Sequence, residues 1–363
     1  MSVGNLSAWS VETPDFHAGE ATLDKARYAV RYAILAPSSH NTQPWRFVIS
    51  GDELLVCADR TRSLPNIDPF DRELIISCGA ALFNLRVALA YFDVAVAIST
   101  FPYSAEPDVV ARVTFPESGP ALKDLAELFD AITRRATNRG PFIQEDVPDA
   151  VVERLRAAAE AEGADVAFAR TLAARQRIAA LIAEADRQQF DDPRFRRELA
   201  SWIHPSRSGD GMPASSQGFG ALTDFATRIA AMTIRTFDVG NGVAAVHEQL
   251  ARGSPLLVAL STPMDNNEAW LAAGLGLQRL LLEATKIGYS TSYLNQTTEV
   301  SELRSRLASE LQLTGFAQLL LRVGRGGMRH TRPAAQSPKY CSDQYLLERS
   351  TLFSEQYGPR IRS

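Results

Sequence analysis

The chain has little that would mark it for the outside of a cell, for a membrane or for nucleic acid. Its 363 residues hold three cysteines, Cys57, Cys78 and Cys341. They form no CxxC pair and are odd in number, which suits reduced thiols rather than a disulfide frame. No apolar run approaches the roughly 18 residues needed to cross a bilayer, and the N-terminus lacks a basic stretch followed by an apolar core. A cytoplasmic location is expected. A net charge of −4 and a pI near 5.8 give no basic footprint for nucleic acid or anionic lipid, so the expected partner is a small molecule. His17, His40, His204, His247 and His330 show no metal-ligand spacing, and no metal is expected. No nucleophile–base pair stands out either. What is present is an ordinary globular composition, 45% hydrophobic and 22% charged, in a chain long enough for two domains or one compound domain.

The most informative stretch is Pro37-Ser38-Ser39-His40-Asn41-Thr42-Gln43-Pro44-Trp45. Before it, Ala26, Ala29, Val30, Ala33 and Ile34 recur at helical spacing, and Pro37 cannot continue that helix. After it, Trp45 to Ile49 begins to alternate like a half-buried strand. Hydroxyls, amides and main-chain N–H groups are therefore gathered at an element junction, where they can cap the turn or bind a polar ligand edge.

Two segments about 195 residues apart look alike, Gly79-Ala80-Ala81-Leu82-Phe83-Asn84-Leu85 and Gly274-Leu275-Gly276-Leu277-Gln278-Arg279-Leu280. Both are apolar on nearly every turn and read as buried helices. Strand candidates precede them at Leu54 to Ala58 and Leu256 to Leu260. Others follow at Val94 to Ile98 and Val109 to Val113, and at Ser290 to Leu294 and Ala317 to Val323. This is an α+β pattern written twice. The Pro/Gly/Ser stretch Pro116 to Pro120 divides it into residues 1–118 and 119–363. The second part opens with an amphipathic helix that presents Leu122, Leu125, Leu128, Phe129 and Ile132 on one face and ends in Arg134-Arg135-Ala136-Thr137-Asn138-Arg139-Gly140-Pro141. Those cations can complement the helix dipole or bind an anion. Helices are also expected over Val151 to Ala161, over Leu172 to Ala185 and from an Asp192-Pro193 cap. The aperiodic segment His204 to Gly220 is long for a connection, so a lid or binding loop competes with disorder. Gly274-Leu275-Gly276 begins like a dinucleotide fingerprint but lacks the third glycine, and helix packing explains it better. Asp68 to Glu73 reads as helix capping with local ion pairs.

The turn Pro-Ser-Ser-x-Asn-x-Gln-Pro-Trp resembles the flavin-contacting turn of the FMN-dependent nitroreductase superfamily, in its Acg-like branch of fused two-copy proteins. The resemblance runs from about Ala26 to Pro333 and implies a nitroreductase-like α+β fold, with the two copies forming an intramolecular pseudo-dimer around one complete FMN site. It assigns Pro37, Ser38, Ser39, Asn41 and Gln43 to the flavin. Arg135 and Thr137 would hold its phosphate and ribityl chain, with Arg139 at the pyrimidine edge. Tyr293-Leu294-Asn295-Gln296 stands where a main-chain N–H reaches the hydride-accepting N5, in place of the family's Pro-x-Glu-Gly. Arg332, and secondarily Arg329, would complete the phosphate site. The cofactor itself would carry the chemistry, with no catalytic side chain. The implied reaction moves hydride from NADH or NADPH through the flavin to a nitroaromatic, quinone or similar acceptor. The same branch also implies an alternative, a flavin-sequestering protein with the loop from His204 to Gly220 as a lid. Oligomeric state is left at monomer or weak homodimer.

Overall fold

In the computed structural model, residues 9, 21–50, 52–117, 119, 122–204, 209–212, 224–236 and 238–326 are described. In chain order the first half holds α1 (Thr22–Ala33), β1 (Trp45–Ser50), β2 (Glu53–Ala58), α2 (Arg72–Tyr91), β3 (Ala97–Thr100) and β4 (Val109–Thr114). Next come α3 (Lys123–Ala126), α4 (Phe129–Arg134), α5 (Asp149–Glu160), β5 (Asp165–Ala169), α6 (Leu172–Asp191), α7 (Pro193–Ser201), α8 (Asp224–Thr236) and α9 (Gly240–Arg252). The rest is β6 (Leu256–Thr262), α10 (Asn267–Lys286), β7 (Ser290–Tyr293), α11 (Gln296–Glu299), α12 (Ser301–Glu310) and β8 (Phe316–Gly324).

The strands form two four-stranded sheets of one topology, β1-β2-β4-β3 and β5-β6-β8-β7, with every pairing antiparallel. In each, a 20-residue helix, α2 or α10, separates the second strand from the third. These two helices cross at glycine. A Cβ on Gly79 would lie 2.4 Å from the Leu271 carbonyl oxygen, and one on Gly274 would lie 2.1 Å from that of Ile76. The contact is reciprocal, residue for residue, as across a two-fold axis. Gln278 then donates to Asn84 Oδ1 at 2.6 Å across the same interface. Gly276 packs on Ala159 and Ala164, so the Gly-Leu-Gly run serves helix packing. By length and composition α2 matches a membrane span, contrary to the expectation that no apolar stretch comes close, but it is the buried central helix.

The cores interpenetrate. Leu271 and Leu282 of α10 belong to the first core, and Ile76 of α2 belongs to the second. The helix expected from Leu122 is two short helices, α3 and α4, yet Leu125, Leu128, Phe129 and Ile132 all enter the first core. The strand expected at Val94 to Ile98 begins three residues later, as the edge strand β3, because Val94 is spent in the hydrophobic core after α2. Asp68 caps α2 by accepting from Leu74 N–H at 3.0 Å, and Asp192 caps α7 through Arg194 N–H at 2.8 Å. Arg329, Arg332 and most of the loop from His204 to Gly220 lie outside the described residues.

Candidate functional site

The turn after α1 is held in an unusual backbone shape. His40, Asn41 and Gln43 have φ of 51°, 55° and 51°, left-handed values that cost a non-glycine residue on the order of 1–3 kcal/mol each. Asparagine tolerates this region best. Several bonds impose the shape. Ser38 Oγ accepts from Gln43 N–H at 2.9 Å, and Arg62 donates to the Thr42 carbonyl at 2.7 Å. Asn41 Nδ2 donates to the Gly211 carbonyl at 3.0 Å, and Gln43 Nε2 donates to that of Gly209 at 2.8 Å. Ser39 Oγ donates to the Glu73 carboxylate.

This turn forms one wall of a cavity through Pro37, Ser38, Ser39 and His40. Glu73, Ile76 and Ser77 of α2 and Leu277 of α10 form its floor. Tyr293 at the end of β7 and Asn295, Gln296 and Glu299 just beyond it enter the cavity, and Arg139 enters from the segment after α4. Asp186, Gln189 and Phe190 of α6, Phe195 and Leu199 of α7, and Val243 and His247 of α9 close the remaining side. Met212 lies over it.

The cavity is polarised. Arg139 is solvent-accessible yet hemmed in by protein, and among the described residues it has no carboxylate or carbonyl partner. Desolvation lowers its pKa. Burial, and then the Arg139 charge, bring the His40 imidazole down to about 4, so that ring is neutral at pH 7. Burial raises the Tyr293 phenol to about 12 against the pull of Arg135 and Arg139. At the other end, burial and the neighbouring Glu73 raise the Glu299 carboxyl well above the usual range, with Gln189 donating to it at 2.6 Å. Burial, then Glu73, also raises Asp68 to about 7.

Of the residues proposed from sequence, Pro37, Ser38, Ser39, Arg139, Tyr293, Asn295 and Gln296 meet in this cavity. Five others, Asn41, Gln43, Arg135, Thr137 and Leu294, are bonded elsewhere. Asn41 and Gln43 turn their amides onto the 209–212 segment, because the left-handed backbone points them away from the cavity. Arg135 is 2% exposed and donates to the Leu35 carbonyl at 3.1 Å, bracing the end of α1. Thr137 bridges to Thr291, and Leu294 donates its N–H to the Leu320 carbonyl at 2.8 Å. Sequence reasoning missed Glu73, Asp186, His247 and Glu299. It also missed Arg322, 1% exposed, which donates to the Asn138 carbonyl at 3.0 Å and the Gly140 carbonyl at 3.3 Å and so fixes the segment carrying Arg139. Burial pulls Arg322 down to about 10. The available signal for α6 was Asp186, Gln189 and Phe190 on one face of a helix that is otherwise apolar there.

Residues 132–325 match the profile of the Nitroreductase family. The chain belongs to the nitroreductase family. It is 32% identical to the uncharacterized protein Rv3127 of Mycobacterium tuberculosis, over 89% of this chain and 93% of that one. It is 28% identical to the M. tuberculosis protein named "Putative NAD(P)H nitroreductase acg", over 84% and 89% respectively, which places it in the Acg-like branch. A solved nitroreductase, the FMN-dependent NfnB of Mycobacterium smegmatis in complex with NADPH, superposes with a TM-score of 0.40 at 17% identity, covering 60% of this chain and 98% of that one.

The lining of the cavity bears directly on FMN. Among the described residues, Tyr293 Oη and Gln296 Oε1 are buried there without a hydrogen-bond partner, and Arg139 has no counter-ion. Unpaired buried polar groups are costly, so a ligand bearing several acceptors and donors suits them. The apolar faces of Ile76, Leu277 and Leu319 suit a flat ring. The residues present fit the group.

Proposed function

We propose that this nitroreductase-family protein is an FMN-dependent oxidoreductase that takes hydride from NADH or NADPH and passes it to a small quinone or nitroaromatic acceptor. The observation that carries this reading is the meeting of the Pro37–His40 turn, Arg139, Tyr293, Asn295 and Gln296 around one cavity, although Pro37 and Gln296 stand more than half the chain apart. Ser38, Ser39, Arg139, Tyr293 and Asn295 would hold the flavin. When bound there, FMN supplies hydride chemistry that side chains lack. Arg139, without a counter-ion, offers its charge to an electron-rich ring edge, while Arg322 keeps its backbone in place. The neutral His40 adds no competing charge. Glu299, raised toward neutrality, keeps the acidic end from repelling an anionic cofactor.

The matched sheets and the Gly79/Gly274 crossing support a further part of this reading: residues 1–118 and 119–363 are fused copies, each lending packing to the other, with one complete site. A second reading, flavin sequestration, is supported by the seating of Gly209 and Gly211 on Gln43 and Asn41, with Met212 over the cavity. Anaerobic stopped-flow mixing with NADH or NADPH distinguishes the two. Rapid bleaching of one FMN per chain supports the oxidoreductase. Bleaching by dithionite alone supports sequestration. A protein that neither carries nor takes up FMN refutes both.

A further inference from the structure

The wall built by α6 and α9 holds a pair that neither the family motifs nor the cofactor reading uses. Asp186 is 1% exposed. Its Oδ2 accepts from His247 Nδ1 at 2.9 Å, and its Oδ1 accepts from Gln296 Nε2 at 3.1 Å. Gln296 Nε2 also sits 2.8 Å from His247 Nδ1, too close for both to direct a hydrogen at the other, so each turns its hydrogen to the Asp186 carboxylate and three elements converge on it. A carboxylate only accepts, which puts the ring proton of neutral His247 on Nδ1. That leaves the Nε2 lone pair without a partner among the described residues, on a ring that is 31% accessible and lines the cavity. A buried pair of this kind adds little net stability by itself, and a structural tie between α6 and α9 needs only Nδ1. An oriented imidazole with a free nitrogen facing a ligand cavity is the arrangement of a proton-transfer group held by its carboxylate.

We propose that His247 is the catalytic proton donor to the acceptor, with Asp186 as its positioning residue. This rests on the oxidoreductase reading above. A quinone becomes hydroquinone by gaining one hydride equivalent and one proton, so that each of its two carbonyl oxygens ends as a hydroxyl. The hydride, two electrons with one hydrogen, comes from the reduced cofactor that the proposed activity supplies. The second hydrogen is the proton on Nε2 of the His247 imidazolium, whose N–H bond breaks as the O–H bond forms. Neutral imidazole remains with its proton on Nδ1, and water reprotonates Nε2. The Asp186 carboxylate balances the imidazolium charge throughout. The apolar side chains Phe190, Phe195 and Val243 around the pair suit an aromatic acceptor. The other charged or titratable groups that share the cavity are Glu73, Glu299, Arg139, Tyr293 and the neutral His40.

The test uses the FMN-loaded full chain, His247→Asn and Asp186→Asn. Asparagine places an amide N–H where Nδ1 stands, so His247→Asn retains a donor to Asp186 and removes only Nε2. The holoproteins are reduced with dithionite and mixed with menadione, and flavin reoxidation is followed from pH 5.5 to 8.5. His247→Asn is expected to slow reoxidation about 100-fold and flatten its pH profile, since general acids contribute roughly 10²–10⁴-fold. FMN content and thermal stability should stay close to those of the parent, which sets this apart from loss of structure. Nitrogen-15 NMR, which does not depend on turnover, should show an Nδ1–H tautomer that vanishes in His247→Asn and shifts in Asp186→Asn. Should His247→Asn not fold, the Asp186→Asn pH profile and tautomer shift carry the test. An unchanged reoxidation rate and pH profile in a flavin-replete variant, or an Nε2–H tautomer in the parent, overturns the proposal. A parent chain that takes up no FMN overturns the underlying reading instead, and the proton-donor assignment falls with it.

Discussion

Replacing Gly274 by alanine should destabilise this protein, although the same change in an open helix stabilises. The added Cβ would stand 2.1 Å from the Ile76 carbonyl oxygen and 2.9 Å from Gly79 Cα, both rigid backbone of α2. No rotamer change relieves such a contact, so the helices must separate. Overpacking of this kind costs about 3 kcal/mol, at the upper end of its usual range. Removing a helical glycine returns about 1 kcal/mol. The net loss is about 2 kcal/mol, or a Tm fall of about 3 °C at the per-residue unfolding entropy of a chain this size. Gly242 in α9 is the matched control, because nothing lies within 4 Å of its added Cβ. Gly242→Ala should gain about 1 kcal/mol. Gly79→Ala should behave like Gly274→Ala. The double variant should lose less than the sum, since helices already spread by one methyl accommodate the second. Because the Ile76 side chain lines the cavity, FMN affinity should fall with stability in the Gly274 variant and not in the Gly242 variant. Thermal and urea melts of the parent and the four variants read all of this. A stabilised Gly274→Ala protein, or strict additivity in the double variant, would refute the reciprocal helix crossing.

Three other outcomes follow from the site. Arg139→Ala should leave stability unchanged or slightly raised, because no partner is orphaned, while FMN binding weakens by about 1.5–3 kcal/mol; Arg135→Ala should instead lower Tm by unpairing the Leu35 carbonyl, as paired melts and FMN titrations will show. His40 is depressed to about 4 from 6.5, so the unfolded chain binds the extra proton between those values. Stability from this group is complete above pH 6.5 and is lost as pH falls toward 4, by up to about 3 kcal/mol, a pH dependence that urea titrations should find in the parent and not in His40→Gln. Asn41→Ala combined with Gln43→Ala should cost about 2 kcal/mol, one per lost hydrogen bond; faster reduction by NADPH in that variant would favour the sequestration reading, and unchanged kinetics would disfavour it.

The parts of this molecule legible in its sequence are those whose signal is local or repeated. Pro37 ends a helix wherever it occurs, and the Gly79 and Gly274 helices announce themselves by an apolar pattern that survives an offset of 195 residues (274 − 79). These, with the short apolar runs beside them, place the α+β duplication, seven of the eight strands within a few residues, and one edge of the cavity. Only β5 escapes, because Asp165-Val166-Ala167-Phe168-Ala169 is a short edge strand whose outer face carries little that is diagnostic. Side-chain direction was the harder problem. Ser39, His40, Asn41 and Gln43 are neighbours in one motif, but three left-handed residues send the first two into the cavity and the other two toward Gly209 and Gly211. A motif fixes which residues meet and not which way each one faces. The same limit separates Arg139 from Arg135, only four positions away and sealed against Leu35. The Asp186–His247 pair is further out of reach. Its members lie 61 residues apart on helices whose own periodicity accounts for them as ordinary polar positions. Only the packing of α6 against α9 over the second sheet makes them one chemical group, so the features that would separate turnover from sequestration are those that only the folded chain displays.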